Sequence, residues 1–265
     1  MRPFSSSLGS GLPPVVKNLL IVNGLFFLLK VSFGTDALGR NALDGALGMH
    51  YVGSPLFRPW QLITHMFLHG DIGHLFVNMF ALFMFGAPVE QRWGSRRFLI
   101  YYVLTGLGAV ALHTAVNAYE VLRDEELLSG FGVHPSAVRA TVEQSLVDID
   151  AAEYSLQDLA ASAGVSEADV LQLFYDYTGT MIGASGAVFG VLLAFGMLFP
   201  DTRIFLLFPP IPMRAKYFVA IYGLIELYAG MSRSPGDNVA HFAHLGGMVF
   251  GFFLIRHWRR HDPDA

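Results

Sequence analysis

The chain contains no cysteine and very little charge. The first absence excludes disulfides, thiol nucleophiles and thiolate-bound metals, and leaves the redox compartment open. The second is more telling. Asp, Glu, Lys and Arg make up 14% of the 265 residues, where a soluble domain carries about 25%. Hydrophobic residues reach 53%, with 23 phenylalanines, and the mean hydropathy is +0.47. Such a composition points to lipid, where aromatic rings suit lipid-facing and interfacial positions.

The charge that is present is unevenly spread. Residues 119–178 hold twelve acidic and two basic side chains, a local charge of −10, while the remainder is +6. Leu159 to Phe174 has a faint helix-turn-helix look, but DNA binders need a basic face, so nucleic acid is excluded as a partner. Ser155 and Ser166, each with an Asp three residues on (Asp158 and Asp169), predict helix starts. Leu156, Leu159, Val170, Leu171 and Phe174 supply short apolar faces. Residues 119–178 are therefore expected to form a small helical insertion in water, within one membrane domain covering 1–265.

Six apolar runs remain. At ~20 residues per crossing, they predict spans at 15–32, 74–90, 98–118, 181–199, 215–231 and 239–255. The expected fold is an all-α bundle of six transmembrane helices, with the acidic helical insertion between the third and fourth. The first span is read as retained, because no small-x-small cleavage site follows it and further spans do. Residues 1–14 read as a polar tail. The connection 33–64 is broken by Gly34, Gly39, Gly45, Gly48, Gly53, Pro55 and Pro59. It nevertheless keeps Leu38, Leu43, Leu47, Tyr51, Leu56, Phe57 and Trp60, and is expected to lie half-sunk at the interface. The connector 200–216 holds Pro209, Pro210 and Pro212 yet is apolar, so it too should hug the membrane. A short polar turn fills 232–238.

An even number of spans puts both termini on one side. That side holds eleven Lys and Arg, against six on the longer opposite loops. The positive-inside rule makes it cytoplasmic, as in a multi-pass protein of a bacterial-type cell (inner) membrane, and leaves the acidic insertion outside. Spans two, four and six then begin at the outer face. His69, His74 and Asn78 fall at one depth there, with Ser185 about one helical turn inside the boundary and His241 and His244 alongside.

Polar groups within spans are costly and suggest function. Ser185 lies in Gly183-Ala184-Ser185-Gly186-Ala187-Val188-Phe189-Gly190, at a helix start whose backbone N–H groups are unpaired. The glycines alone describe a packing face. His244 opens His244-Leu245-Gly246-Gly247, and Gly247 and Gly251 form a matching GxxxG face. Packing that face on Gly186 and Gly190 would bring the imidazole to the Ser185 hydroxyl, as a serine nucleophile requires of its base. His74 and Asn78, four apart on one helix face, can donate to a developing oxyanion together with the Ser185 backbone N–H. His65, His69, His74, His241 and His244 are also candidate metal ligands. No HExxH motif is present, however, and no carboxylate is expected on a helix beside them except Asp71 in the turn, so neither metal nor cofactor is expected. His241, three residues before His244, is assigned a supporting role, as is His69.

His69-x4-His74-x3-Asn78 on the second span, Gly183-Ala184-Ser185-Gly186 opening the fourth and His244-Leu245-Gly246-Gly247 opening the sixth resemble the rhomboid family of intramembrane serine proteases. Glu90-Gln91-Arg92-Trp93-Gly94-Ser95 after the second span is similar too, and the resemblance covers roughly 15–118 and 179–256. It implies a Ser185 nucleophile and a His244 base acting as a dyad without a third acid, an oxyanion hole of His74, Asn78 and the Ser185 N–H, and transmembrane segments in the bilayer as substrates. Three departures stand out. Phe189 replaces a frequent tyrosine, which keeps stacking on the histidine but loses the ring hydroxyl. Trp60-Gln61 replaces a Trp-Arg pair in the first loop. The insertion has no counterpart in the minimal core, and a lid, a docking surface and a partner site are all open to it.

Two rival readings belong to other classes. A non-proteolytic protein that binds transmembrane segments would need neither Ser185 nor His244. A transporter would want discontinuous helices or an ionisable pair at the midplane, and no such pair is evident in the sequence.

Overall fold

A computed structural model describes residues 11–35, 41–205, 212–232 and 239–261. The start of the tail, Leu38, Gly39, Pro209, Pro210 and the turn 233–238 lie outside the described residues.

The fold is all-α with one small hairpin. Helix α1 (Pro14–Phe33) leads through short α2 (Ala42–Leu47) and α3 (Gln61–Thr64) to α4 (Ile72–Ala81), which runs through a π-helical turn (Leu82–Gly86) into α5 (Ala87–Trp93). Then come α6 (Ser95–Ser129), α7 (Pro135–Gln144), α8 (Ile149–Ala163), α9 (Glu167–Thr178) and α10 (Ser185–Leu198). Strands β1 (Arg203–Phe205) and β2 (Pro212–Arg214) pair antiparallel with Ile204 opposite Met213, and α11 (Ala215–Ser232) and α12 (His241–His261) follow. Among the described residues, three stretches are long and apolar enough to cross a membrane: Pro14–Phe33, Ile72–Trp93 and Ser95–Ser129. Helix α10 is apolar but has only 14 residues. Leu28, Phe76, Leu224 and Phe253 face outward, the arrangement of a bundle that meets lipid.

Several expectations are revised. The fourth helix opens at Ser185 itself and not near 181, because residues before it are extended: Met181 exchanges two backbone hydrogen bonds with Met49, each 2.9 Å. Ser185 is thus the first residue of the helix. Helix α6 runs unbroken through 119 to Ser129, so the insertion shares a helix with the span before it. Ser166 does cap α9, accepting from the Ala168 N–H. Ser155 lies inside α8, whose cap is Asp148; the Ser155 hydroxyl donates back to the Ala151 carbonyl at 2.8 Å.

Side chains tie the loops to the bundle. The buried Glu90 carboxylate accepts the Val15 and Val16 N–H groups at 2.9 and 2.8 Å and the Ser95 hydroxyl at 2.7 Å. It thereby occupies the positive end of α1. Lys30 donates to the His69 carbonyl at 2.7 Å and pairs with Asp44 at 2.7 Å, fixing the turn before α4. Gln61 is fully buried. Its amide oxygen accepts the Arg58 N–H at 3.0 Å and its nitrogen donates to the Leu56 carbonyl, so a neutral amide anchors this loop where the resemblance implied an arginine. The insertion has its own core, including Val121, Leu156, Leu173 and Tyr177, and packs on the first loop through Tyr51 and Leu56.

Candidate active site

The site forms where α10 is wedged between α6 and α12. Gly183 precedes it with φ of +133°, a backbone conformation that L side chains rarely adopt, and its N–H donates to the His65 carbonyl at 2.9 Å. That bend turns an extended segment into helix at Ser185, whose N–H joins the unpaired donors of the helix start. One residue on, Gly186 meets Ala109 of α6 and the Ala243 carbonyl of α12. A Cβ on Gly247 would collide with the Gly186 carbonyl, and one on Gly190 would lie 2.6 Å from Thr105 Cβ. These glycines press the start of α10 against α6 on one side and the first turns of α12 on the other.

His244 is thereby held beside the serine's helix. Its ring stacks on Phe189 with centroids 4.2 Å apart and planes 6° from parallel. The phenylalanine therefore supplies the stacking surface expected of that position. No hydrogen bond links Ser185 Oγ to His244 among the described residues. Catalytic hydrogen bonds often close only around substrate.

His74 approaches from the other side. A Cβ built on Gly183 would lie 3.0 Å from His74 Nε2 and 3.5 Å from Ser185 Oγ, so ring and hydroxyl border one space. The Gly70 N–H donates to His74 Nδ1 at 3.3 Å. In a neutral imidazole that places the proton on Nε2, on the serine side. Asp71 caps α4 by accepting the His74 backbone N–H at 2.9 Å, and that bond holds its carboxyl below the usual range. Asn78 is buried one turn on and donates one N–H to the His74 carbonyl at 2.9 Å, leaving its second. His69 is fully buried, edge-on to His74 with centroids 5.0 Å apart, and neither ring nitrogen has a hydrogen-bond partner among the described residues.

The expectation that no helical carboxylate lies near these histidines is corrected by Glu226. It sits on α11, and its Oε2 accepts from His241 Nδ1 at 2.6 Å and from His244 Nδ1 at 2.8 Å. His244 therefore has a third acid beside it, where the resemblance implied none. A signal was available: Glu226 is the one charged residue between Tyr217 and Ser232, and an ionisable group inside an apolar helix suggests function by default. Among the described residues, Glu226, His241 and His244 also form a group whose ligand atoms lie close enough to share a metal ion.

A family model described as a Rhomboid domain matches residues 57–133 and 158–260, more than half of the chain. An uncharacterised mitochondrial rhomboid protein of Schizosaccharomyces pombe is 25% identical over 213 residues, covering 77% of this chain and 52% of the relative. The rhomboid protease GluP of Bacillus subtilis is 34% identical over 88 residues, 33% of this chain and 17% of the relative. RHOMBOID-like protein 12, mitochondrial, of Arabidopsis thaliana is 25% identical over 235 residues, 88% of this chain and 55% of the relative. The chain thus spans about half the length of the two relatives it matches most fully among these three.

Proposed function

The chain belongs to the rhomboid family, and on that premise we propose that it is an intramembrane serine endopeptidase acting on transmembrane segments of other membrane proteins. One observation carries the reading: His244, stacked on Phe189, is brought by the Gly186 and Gly247 contact to the helix that begins with Ser185. An apolar bundle has no structural need of a serine and a histidine in that relation.

Ser185 Oγ attacks the scissile carbonyl carbon, and its proton passes to His244 Nε2. The new C–O bond pushes the carbonyl electron pair onto oxygen. The Ser185 N–H, His74 Nε2–H and the second Asn78 N–H are the donors available to that oxyanion. As the intermediate collapses, the C–N bond breaks and the Nε2 proton leaves with the amine. Water, deprotonated by the same nitrogen, then hydrolyses the acyl-enzyme. Six crossings with both termini cytoplasmic would set these groups near the outer face, within reach of a segment unwinding from the lipid. The insertion, docked on the first loop, stands beside the start of α10.

The test is cleavage of a reporter transmembrane segment by wild type, Ser185→Ala and His244→Ala, with fluorophosphonate labelling alongside. Wild type is expected to cleave and label, and both variants to lose cleavage. Labelling that survives in Ser185→Ala would refute the nucleophile. A segment bound by wild type but left intact would favour the non-proteolytic reading.

A further inference from the structure

Glu226 is only 8% exposed, in the middle of an apolar helix. Burying a carboxylate there is costly unless its oxygens are hydrogen-bonded. Two imidazoles provide those bonds, and both converge on the same oxygen. An ionised carboxylate only accepts, so each histidine must carry a proton on Nδ1. For neutral His244 that choice leaves Nε2 as the bare, basic nitrogen, the atom that must take the serine proton. Phe189 fixes the plane of the ring and Glu226 fixes its rotation within that plane.

We propose that Glu226 is a positioning residue that orients His244 towards Ser185 in an arrangement drawn from three helices, with His241 as the second donor that holds the carboxylate in place. The proposal rests on the protease reading above. When His244 Nε2 receives the Ser185 proton, the imidazolium that forms faces an existing negative charge through its Nδ1–H. The carboxylate keeps its charge and takes no proton. His241 contributes by fixing the position of Oε2 and sharing its hydrogen-bonding capacity, so the carboxylate cannot swing away from His244.

A metal ion is the competing explanation of this cluster. Ligand atoms around a tetrahedral ion with bonds near 2.0–2.1 Å are about 3.3 Å apart. The two nitrogens here lie 2.6 and 2.8 Å from the shared oxygen, shorter than that separation and at hydrogen-bond length, so as placed these atoms bond to one another.

The test compares kcat and KM for wild type, Ser185→Ala and Glu226→Gln, reconstituted with a reporter transmembrane segment. Glu226→Gln is expected to lower kcat by about 10²-fold with KM nearly unchanged. A kcat within threefold of wild type, or a loss in kcat/KM carried by KM and not by kcat, would overturn the positioning role. Cleavage that survives in Ser185→Ala would defeat the protease reading, a different failure. A second measurement needs no folded Glu226 variant. Nitrogen-15 shifts of labelled histidines in wild type, with His244 assigned by its loss in His244→Ala, should report the Nδ1–H form. An Nε2–H form of His244 would also overturn the proposal.

Discussion

Where α10 meets α12, the contact is a glycine against a backbone carbonyl; between 121 and 177 it is Val121, Leu156 and Leu173 against one another. The two regions sit side by side in one chain and are held by different physics. Lipid is as apolar as leucine, so membrane helices gain little by burying large side chains and associate through close backbone approach. The insertion gains about 25 cal/mol for each Å² of apolar surface taken from water. The bundle should therefore be intolerant of added volume, and the insertion intolerant of lost volume. The same closeness that holds the bundle also sets the distance between Ser185 and His244.

The sharpest way to break the contrast is to add volume at the bundle's tightest point. Gly247→Leu drives a side chain into the Gly186 carbonyl. Separation of α10 from α12 is expected to abolish reporter cleavage and fluorophosphonate labelling, with about 3 kcal/mol of stability lost. Retained labelling would mean that the glycine face does not set the site. Leu173→Ala is the complementary change. It removes volume from the insertion core and should cost about 2–5 kcal/mol there, seen as faster hydrogen exchange over 121–177. Labelling of Ser185 should persist. Loss of labelling would instead make the two regions one cooperative unit.

Gly183→Ala falls between the two regimes. It adds one methyl, with φ of +133° and His74 Nε2 at 3.0 Å. Backbone strain of this kind costs about 1–3 kcal/mol, and His74 must give way. The expected result is a drop in kcat of roughly tenfold or more, following the displacement of the oxyanion donor proposed at His74, with KM little changed. A variant with wild-type kcat would remove His74 from the oxyanion side.

The two regions also differ in how much of them could be read from the sequence. Ser185, His244, His74 and Asn78 were legible because local spacing carries them: a small-residue motif at a helix start, an i to i+4 pair, a histidine ahead of a glycine face. Glu226 was not, although it is a lone acid in an apolar run. Its partners lie 15 and 18 residues away on another helix, and no spacing rule links them. The insertion's composition was plain, but its boundary was not. Charge changes abruptly near Tyr119, while helix propensity does not, and α6 follows propensity to Ser129. Serine with an acid three residues on makes Ser155 fit the cap pattern; Asp148, with Ala151 three residues on, does not fit it, yet its side chain accepts the Ala151 N–H at 3.0 Å.

The smallest expected effect contrasts two partly or wholly buried acids. Glu226 in the bundle faces two histidines. Asp176 on α9 faces Glu120 and Asp124 of α6, and its carboxylate accepts the Gln172 amide at 2.8 Å. Burial pushes its carboxyl up to about 6, the two acids add to that, and Gln172 and Arg123 oppose it. A folded-state value above the unfolded 3.8 means that the folded insertion holds this proton more firmly. Its stabilising contribution is complete below the unfolded value and is lost as pH rises through the folded one. Between pH 3.8 and about 6 this residue therefore makes the insertion less stable as pH rises. Asp176→Asn should flatten that slope and raise local stability at pH 8 by about 1 kcal/mol, the partial exposure of the group having reduced the figure. Hydrogen exchange of α9 measured across this pH range reads both effects. A slope identical to wild type would mean that the Gln172 amide and the cationic Arg123 already balance the acids of α6, and that the insertion tolerates a buried acid by pairing it, as the bundle does.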